Sequence, residues 1–443
     1  MGMNTLLLHI GKQKTGTTAI QKFLCVNADV IEEYGWCYPT DKVFMKENPW
    51  YNGMGFYGKG YRIDTESLRW KQLWECLHEY LEKKNVILSA ENISIINTHE
   101  LLRKVKQEYD NVKVIVYLRR QDVFVESLWN QMVKSQNGCY TGSVQECWEE
   151  FFGEGEFRRE KLYYYNELEA IAAIIGKENL IVRVYEKQQL EGERKDAISD
   201  FFSAIGLTVD WKKFKGDREA NLRISGNELM IKRVMNHTLK RECGKRYKTE
   251  IMESFMDMGK PGGQRSAVTE SHMTKEERIA ILEEFKEQNE LVAREYLHRE
   301  DGKLFYDMNV DIPQYESSMT PFEEDMIRVF TTLLCEQNKK LEKLEILIKK
   351  GTRKLAFFGA GMIGKKMLEK GVLPVELFID NDVAKAGMLL GTLEIVRADC
   401  IEDWSKYFVV ITCVQTEDIE EQLQQYGLKK GEDYILASDY FVF

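Results

Sequence analysis

Long apolar runs are missing from this chain of 443 residues: no stretch approaches the ~18 apolar residues that a membrane-crossing helix needs. The opening Met1-Gly2-Met3-Asn4 leads at once into a strand pattern, so a secretory leader is not expected. The nine cysteines form no C-x-x-C pair and show no metal-ligand spacing, and the six histidines are scattered. Reduced thiols, a cytoplasmic location and no bound metal are therefore the expectation. An excess of positive charge is missing too: 62 Lys and Arg against 72 Asp and Glu give a net charge of −10. That argues against broad nucleic-acid binding. One window departs from it. Between Val209 and Lys248 there are 12 Lys/Arg and 5 Asp/Glu, which is either a solvated helix face or an attraction for an anionic ligand. What remains is ordinary for a globular protein: 44% apolar and 30% charged residues, with length for two or three domains of ~150 residues.

The most informative stretch lies near the start. The apolar run Leu6-Leu7-Leu8-His9-Ile10 ends in Gly11-Lys12-Gln13-Lys14-Thr15-Gly16-Thr17-Thr18, and Ile20, Phe23 and Leu24 then follow at helical spacing. Strand, small-residue loop and helix start together make a grip for an anion, because free backbone N–H groups and the helix dipole point at the ligand. Gly16 lets the backbone come close, Lys14 adds charge, and the hydroxyls of Thr15, Thr17 and Thr18 can donate. The usual nucleotide loop reads G-x-x-x-x-G-K-[ST]. Gly11 and Gly16 keep its spacing, but Thr17 stands where its Lys belongs and the Lys comes earlier, at Lys14. An ordinary ATPase or GTPase is thereby disfavoured.

Further along, helices are expected over residues 65–83, 99–109, 121–136, 196–205 and 276–304. Strands are expected over 86–92, 112–118 and 180–185. Residues 50–61 (WYNGMGFYGKGY) read as an aromatic loop, either a lid or an ordered wall. Glu91 lies at the end of the strand 86–92, where ligands of open α/β sheets bind. Arg119 follows the strand 112–118, and Ser127 comes eight residues later on the next helix. Arg offers phosphate a planar fork and Ser adds a hydroxyl donor.

Thr320-Pro321-Phe322-Glu323 is a helix start. Ile327, Phe330, Leu334, Gln337, Leu341, Leu344 and Ile348 then recur at alternating three and four residues up to Gly351. This stripe either packs on its own domains or pairs with a second copy into a homodimer through residues 321–350. Beyond it, KLAFFGAGMIG carries Gly359, Gly361 and Gly364 as G-x-G-x-x-G between strand and helix, and Asp380 ends a second strand 21 residues after Gly359. That is a fair distance for a ribose-binding carboxylate.

The loop K-T-G-T-T and the segment VIVYLRRQDVFVESLWNQ (114–131) resemble the two phosphate elements of sulfotransferases that use 3′-phosphoadenosine 5′-phosphosulfate (PAPS), in the right order. The resemblance covers residues 1 to about 318. It implies an α/β fold, a three-layer parallel sheet of the P-loop-like sulfotransferase type, and sulfuryl transfer to a hydroxyl or amine. It further implies that Lys14, Thr17 and Thr18 hold the 5′-phosphate, that Arg119 and Ser127 hold the 3′-phosphate, and that Tyr185 lies near the adenine. The family's aromatic residue after G-T-T is here Ala19, and no K-T-H triplet is present. Glu91 is the candidate general base, with Glu32, Glu33 and His9 as rivals; alternatively it is a structural carboxylate pairing Lys14 or Arg119. The end of the chain resembles the small Rossmann-like domain attached to bacterial sugar-modifying enzymes, which implies a nucleotide or nucleotide-sugar ligand. The expected organisation is a sulfotransferase domain (1–318), a linker helix (319–350) and a Rossmann-like domain (351–443). A bacterial glycan or glycolipid precursor is the expected acceptor, with a small phenol or steroid second. A small-molecule kinase and a non-catalytic nucleotide-binding regulator are the competing classes.

Overall fold

The computed structural model describes residues 4–45, 50–56, 63, 65, 67–90, 98–135, 139–153, 157–216, 226–258 and 270–442. The chain divides into two compact units. One holds residues 1–129, 142–221 and 269–315; the other holds 130–141, 222–268 and 316–443.

The first unit is built on five strands: β1 (Leu6–His9), β2 (Trp36–Cys37), β3 (Asn85–Ser89), β4 (Val112–Leu118) and β5 (Leu180–Val184). Their order is β2-β3-β1-β4-β5 and every pairing is parallel. Such a sheet is covered on both faces, so its strands read as continuous apolar runs rather than alternating ones. Leu6, Leu7 and Leu8 are all fully buried, as are Val86, Ile87 and Leu88. On one face Leu7, Ile87, Ile115 and Tyr117 join Ile20, Phe23 and Leu24 of helix Thr17–Val26 and Phe201 and Phe202 of helix Ala197–Ala204. Helix Tyr164–Ile175 packs on β4 and β5 and against helix Thr98–Glu108. β1 is central, and the chain departs to β3 on one side and β4 on the other. Ligands of open parallel sheets lie beyond the C-terminal strand ends at such a reversal.

One helical expectation is corrected. Residues 276–304 are not one helix but two, Lys275–Glu284 and Lys286–Glu295, broken at Phe285. Phe285 is fully buried and packs edge-on against Tyr163 at 4.9 Å and Trp148 at 6.4 Å. Seating that ring displaces the backbone from helical geometry.

The second unit carries β6 (Lys354–Phe358), β7 (Leu377–Ile379), β8 (Leu389–Leu390), β9 (Leu393–Val396), β10 (Tyr407–Ile411) and β11 (Tyr434–Leu436). The order is β11-β10-β6-β7-β9-β8, parallel except for the β8–β9 edge. The long helix Pro321–Lys350 has a full capping box between Thr320 and Glu323, with Pro321 in its first turn. It packs on helix Gly226–Glu242; its buried residues are Thr331, Cys335, Glu342 and Ile346, of which Cys335 joins Leu239 and Cys243 while Ile346 joins the core of the sheet. Its heptad stripe faces away: Phe330, Leu334, Leu341, Leu344 and Ile348 are 52–69% exposed. Cys243 and Cys335 form a disulfide within an apolar nest that includes Cys139 and Leu239. The expectation of reduced thiols gives way at this pair, which the two helices bring to a Cα separation of 6.1 Å. Among the described residues no helix is long and apolar enough to cross a membrane.

Candidate functional site

The loop of residues 10–16 leaves β1 and enters helix Thr17–Val26 with Gly16 at the N-cap. Gly16 has φ +78°, and a Cβ there would lie 2.8 Å from the Tyr185 ring and 3.0 Å from Ala197. Both conformation and space demand glycine. A Cβ on Gly11 would strike Thr17 at 2.1 Å. Lys14 also adopts a left-handed backbone, φ +66°, without the excuse of being glycine, at a cost of roughly 1–3 kcal/mol. Its carbonyl is held by Arg119, whose Nη1 donates to it at 2.5 Å. The buried Thr15 donates back to the Lys12 carbonyl at 2.6 Å, closing the turn.

Arg119 stands at the end of β4, next to β1 in the sheet. Its Nη1 also donates to Ser127 Oγ at 3.3 Å, and its guanidinium lies 5.8 Å from the centre of the Tyr185 ring. Tyr164 fixes the backbone here, donating its hydroxyl to the Arg119 carbonyl at 2.6 Å. Lys14, Gly16, Arg119, Ser127 and Tyr185 therefore meet at one end of the sheet, although they span 171 residues of sequence. Arg120 points into a different environment. It is buried in a network with Asp122, Asp122 binds Arg278, and Arg278 reaches Glu126 and Ser271.

Glu91 lies outside the described residues. The preceding Ala90 donates its N–H to the His9 carbonyl at 3.2 Å, so the end of β3 abuts the start of the loop. The rival bases are engaged elsewhere. Glu32 pairs with Lys84 at 2.6 Å and Glu33 with Lys213 at 2.7 Å, both at the surface. His9 is fully buried, and burial pushes its pKa down to about 3. Part of the aromatic segment is an ordered wall. Asn52 bridges the Pro39 and Ile87 carbonyls and accepts from the Ser89 N–H, and Phe56 is buried against Trp70 and Trp74. Residues 57–61 of that segment fall outside the described residues.

Two arrangements beneath the loop escaped sequence reading. Lys12, 6% exposed, binds Glu167 and the Lys161 carbonyl and lies over the Tyr164 ring, tying the loop to helix Tyr164–Ile175. Burial lowers its pKa while Glu167 opposes that shift. His9 Nδ1 meets Ser89 Oγ at 2.8 Å, and Gln21 Nε2 donates to the same oxygen at 3.0 Å. His9 Nε2 and Gln21 Oε1 have no hydrogen-bond partner among the described residues. Partners 80 and 155 residues apart leave no local signature.

In the second unit Gly359 follows β6, Gly361 is the N-cap of helix Met362–Glu369, and Gly364 lies in that helix's first turn. A Cβ on Gly364 would sit 2.3 Å from the Gly359 carbonyl. Asp380 ends β7, where its carboxylate accepts from the backbone N–H groups of Ala360 (2.9 Å) and Asp382 (3.0 Å) and from Lys385 Nζ (2.9 Å). These donors hold its pKa below the ordinary carboxylate value against the opposing effect of burial.

No family model matches the chain. A protein of Archaeoglobus fulgidus, described as an uncharacterized protein, is 29% identical over 216 residues. The match covers 48% of this chain and 53% of that protein, so it spans about half the length of the relative. Among solved structures, a sulfotransferase from Alicyclobacillus acidocaldarius aligns at a TM-score of 0.32 and 14% identity, over 56% of this chain and 95% of its own.

Proposed function

We propose that residues 1–318 form a sulfotransferase that takes its sulfuryl group from PAPS and passes it to a hydroxyl or amine. The observation that carries this reading is the bond from Arg119 to the Lys14 carbonyl. It couples the misplaced-Lys loop to the Arg–Ser element, and a site with two separate phosphate grips suits a donor phosphorylated at both 5′ and 3′. PAPS supplies the sulfuryl group on its 5′-phosphate. In transfer the S–O bond to that phosphate breaks and one to the acceptor oxygen or nitrogen forms. Lys14 offsets charge developing on the leaving phosphate. The helix N-terminus with Thr15, Thr17 and Thr18 holds the 5′-phosphate, Arg119 and Ser127 hold the 3′-phosphate, and Tyr185 flanks the adenine side. Such in-line transfer draws most of its rate from positioning and charge stabilisation. Glu91 takes the acceptor proton, a contribution of ~10²–10⁴ in rate. The acceptor is a glycan or glycolipid precursor, and the enzyme works in the cytoplasm.

The experiment is calorimetric titration with adenosine 3′,5′-bisphosphate, paired with ATP·Mg²⁺, followed by turnover of Glu91→Gln. Bisphosphate binding that survives this substitution, with turnover reduced at least a hundredfold, is the expected result. Binding of ATP·Mg²⁺ but not of the bisphosphate overturns the donor. Near-normal turnover in Glu91→Gln overturns the base.

Two further assignments belong to this reading. The 351–443 domain is Rossmann-like, with the loop of Gly359, Gly361 and Gly364 taking the diphosphate of a nucleotide or nucleotide-sugar at the helix N-terminus. Asp380 serves the ribose only by exchanging the Lys385 contact for a hydroxyl. The chain also dimerises through residues 321–350. Nine large apolar side chains on that helix, from Phe322 to Ile348, are 41–71% exposed. At roughly 100 Å² each they offer about 900 Å² per protomer, close to the ~800 Å² of a standard interface.

A further inference from the structure

A cavity of about 380 Å³ in the second unit belongs to neither glycine loop. Four elements line it: the end of helix Gly226–Glu242 (Arg241, Glu242), the long helix (Lys339, Lys343), the end of helix Met362–Glu369 with its cap (Lys366, Lys370), and the last residues of the chain (Tyr440, Phe441). Five of these groups are cationic and one is a carboxylate. Glu242 is taken by Lys339. Arg241, Lys343, Lys366 and Lys370 have no ion-pair partner among the described residues. Arg241 and Lys366 lie in the last turns of their helices, where the dipole favours a cation. That accounts for each residue singly. It does not account for four unbalanced cations, drawn from three helices, around one concavity, where each raises the cost of the others.

Tyr440 is buried, and its hydroxyl accepts from Arg246 Nη1 at 3.2 Å. Its backbone rests on Gly244, where a Cβ would lie 2.5 Å from the Tyr440 carbonyl carbon. Phe441 adds apolar surface beside it. A strongly positive pocket with one firm aromatic edge selects multiple negative charge on a small ligand, and its volume lies in the small-molecule range.

We propose that this cavity binds a small anion carrying at least two phosphate or sulfate groups, held by Arg241, Lys343, Lys366 and Lys370. The site is independent of the donor loop and of the β6 glycine loop. It gives the basic window of the sequence, to which Arg241 belongs, a ligand.

Isothermal titration of the full chain with inorganic pyrophosphate and with ADP, in low and high salt, tests the proposal. A Lys14→Ala background removes the donor loop from the reading. The decisive variant is K366E/K370E. K104E/K354E, which changes net charge equally on exposed lysines outside the cavity, is its control. Binding that persists in Lys14→Ala and in the control, and weakens at least tenfold in K366E/K370E and in high salt, is expected. Tighter binding of ADP than of pyrophosphate identifies a nucleotide as the source of the phosphates, and equal binding identifies the bare phosphates. No binding of either ligand by the wild type, or equal affinity in both double variants, overturns the proposal whatever the outcome at the donor loop.

Discussion

At the scale of single residues, the loop is held from below by charge as much as by glycine. Lys12 and Glu167 are each about 93% shielded, so removing Lys12 leaves the buried Glu167 carboxylate only the longer contact to Lys161 at 3.6 Å. Lys12→Ala is expected to destabilise the first unit by ~3–5 kcal/mol, read as a drop in urea midpoint. The double change Lys12→Met with Glu167→Leu should recover most of that loss. A single variant indistinguishable from wild type refutes the pairing. Lys14, Arg119 and Ser127 could be picked out from sequence because each sits in a short segment with its own spacing. Lys12 could not: nothing in Gly11-Lys12-Gln13 distinguishes a buried lysine from a solvated one until Glu167 is brought against it. His9 is alike. Only the parallel register of β1 and β3 puts Ser89 beside it.

At the scale of elements, the long helix was legible to the residue. Its start and stop are written locally, in the Thr320–Glu323 box, Pro321 and Gly351, and thirty residues give the apolar period room to declare itself. The short edge strands β2 and β8, two residues each, carry no period at all. Helix Gly226–Glu242 lies wholly in the basic window and Lys245–Met258 begins in it, where charge hides the apolar face. What the period could not reveal was which face of the long helix turns inward. The buried side is Thr331, Cys335, Glu342 and Ile346, and the leucine-rich side is left in solvent. Leu334→Glu with Leu341→Glu should convert a dimer to a monomer in light scattering without changing the far-ultraviolet circular dichroism. A wild type of monomeric mass at micromolar concentration refutes self-pairing.

At the scale of the whole molecule, the two units carry opposite pH liabilities. Glu342 is buried among Arg246, Glu250 and Glu345, and burial lifts its pKa from 4.5 to about 7. The folded state binds that proton more tightly than the unfolded chain does. Its contribution is therefore complete below about pH 4.5 and is lost as pH rises through 7. His9 runs the other way, since its folded pKa of about 3 lies below 6.5 and stability falls as pH drops below 6.5. Between pH 5 and 8, Glu342→Gln should flatten the decline of the second unit's thermal midpoint by several degrees while leaving the first unit's transition in place. An unchanged slope in scanning calorimetry argues against a titrating Glu342.

The division into units has a further consequence during synthesis. The chain enters the second unit at residue 130, leaves it, returns at 222, leaves again, and stays only from 316 onward. When helix Gly226–Glu242 leaves the ribosome, the helix that covers it has not yet been made. At ~5–20 residues per second, about a hundred residues must follow before Cys335 arrives. For on the order of ten seconds, Leu239 and Cys243 must wait without their partners. A nascent chain in this interval is exposed to misassociation and chaperone capture, and Cys243 is open to pairing with the wrong thiol. A chain cut at 318 would remain in that state permanently, with one unit complete and the other without its sheet.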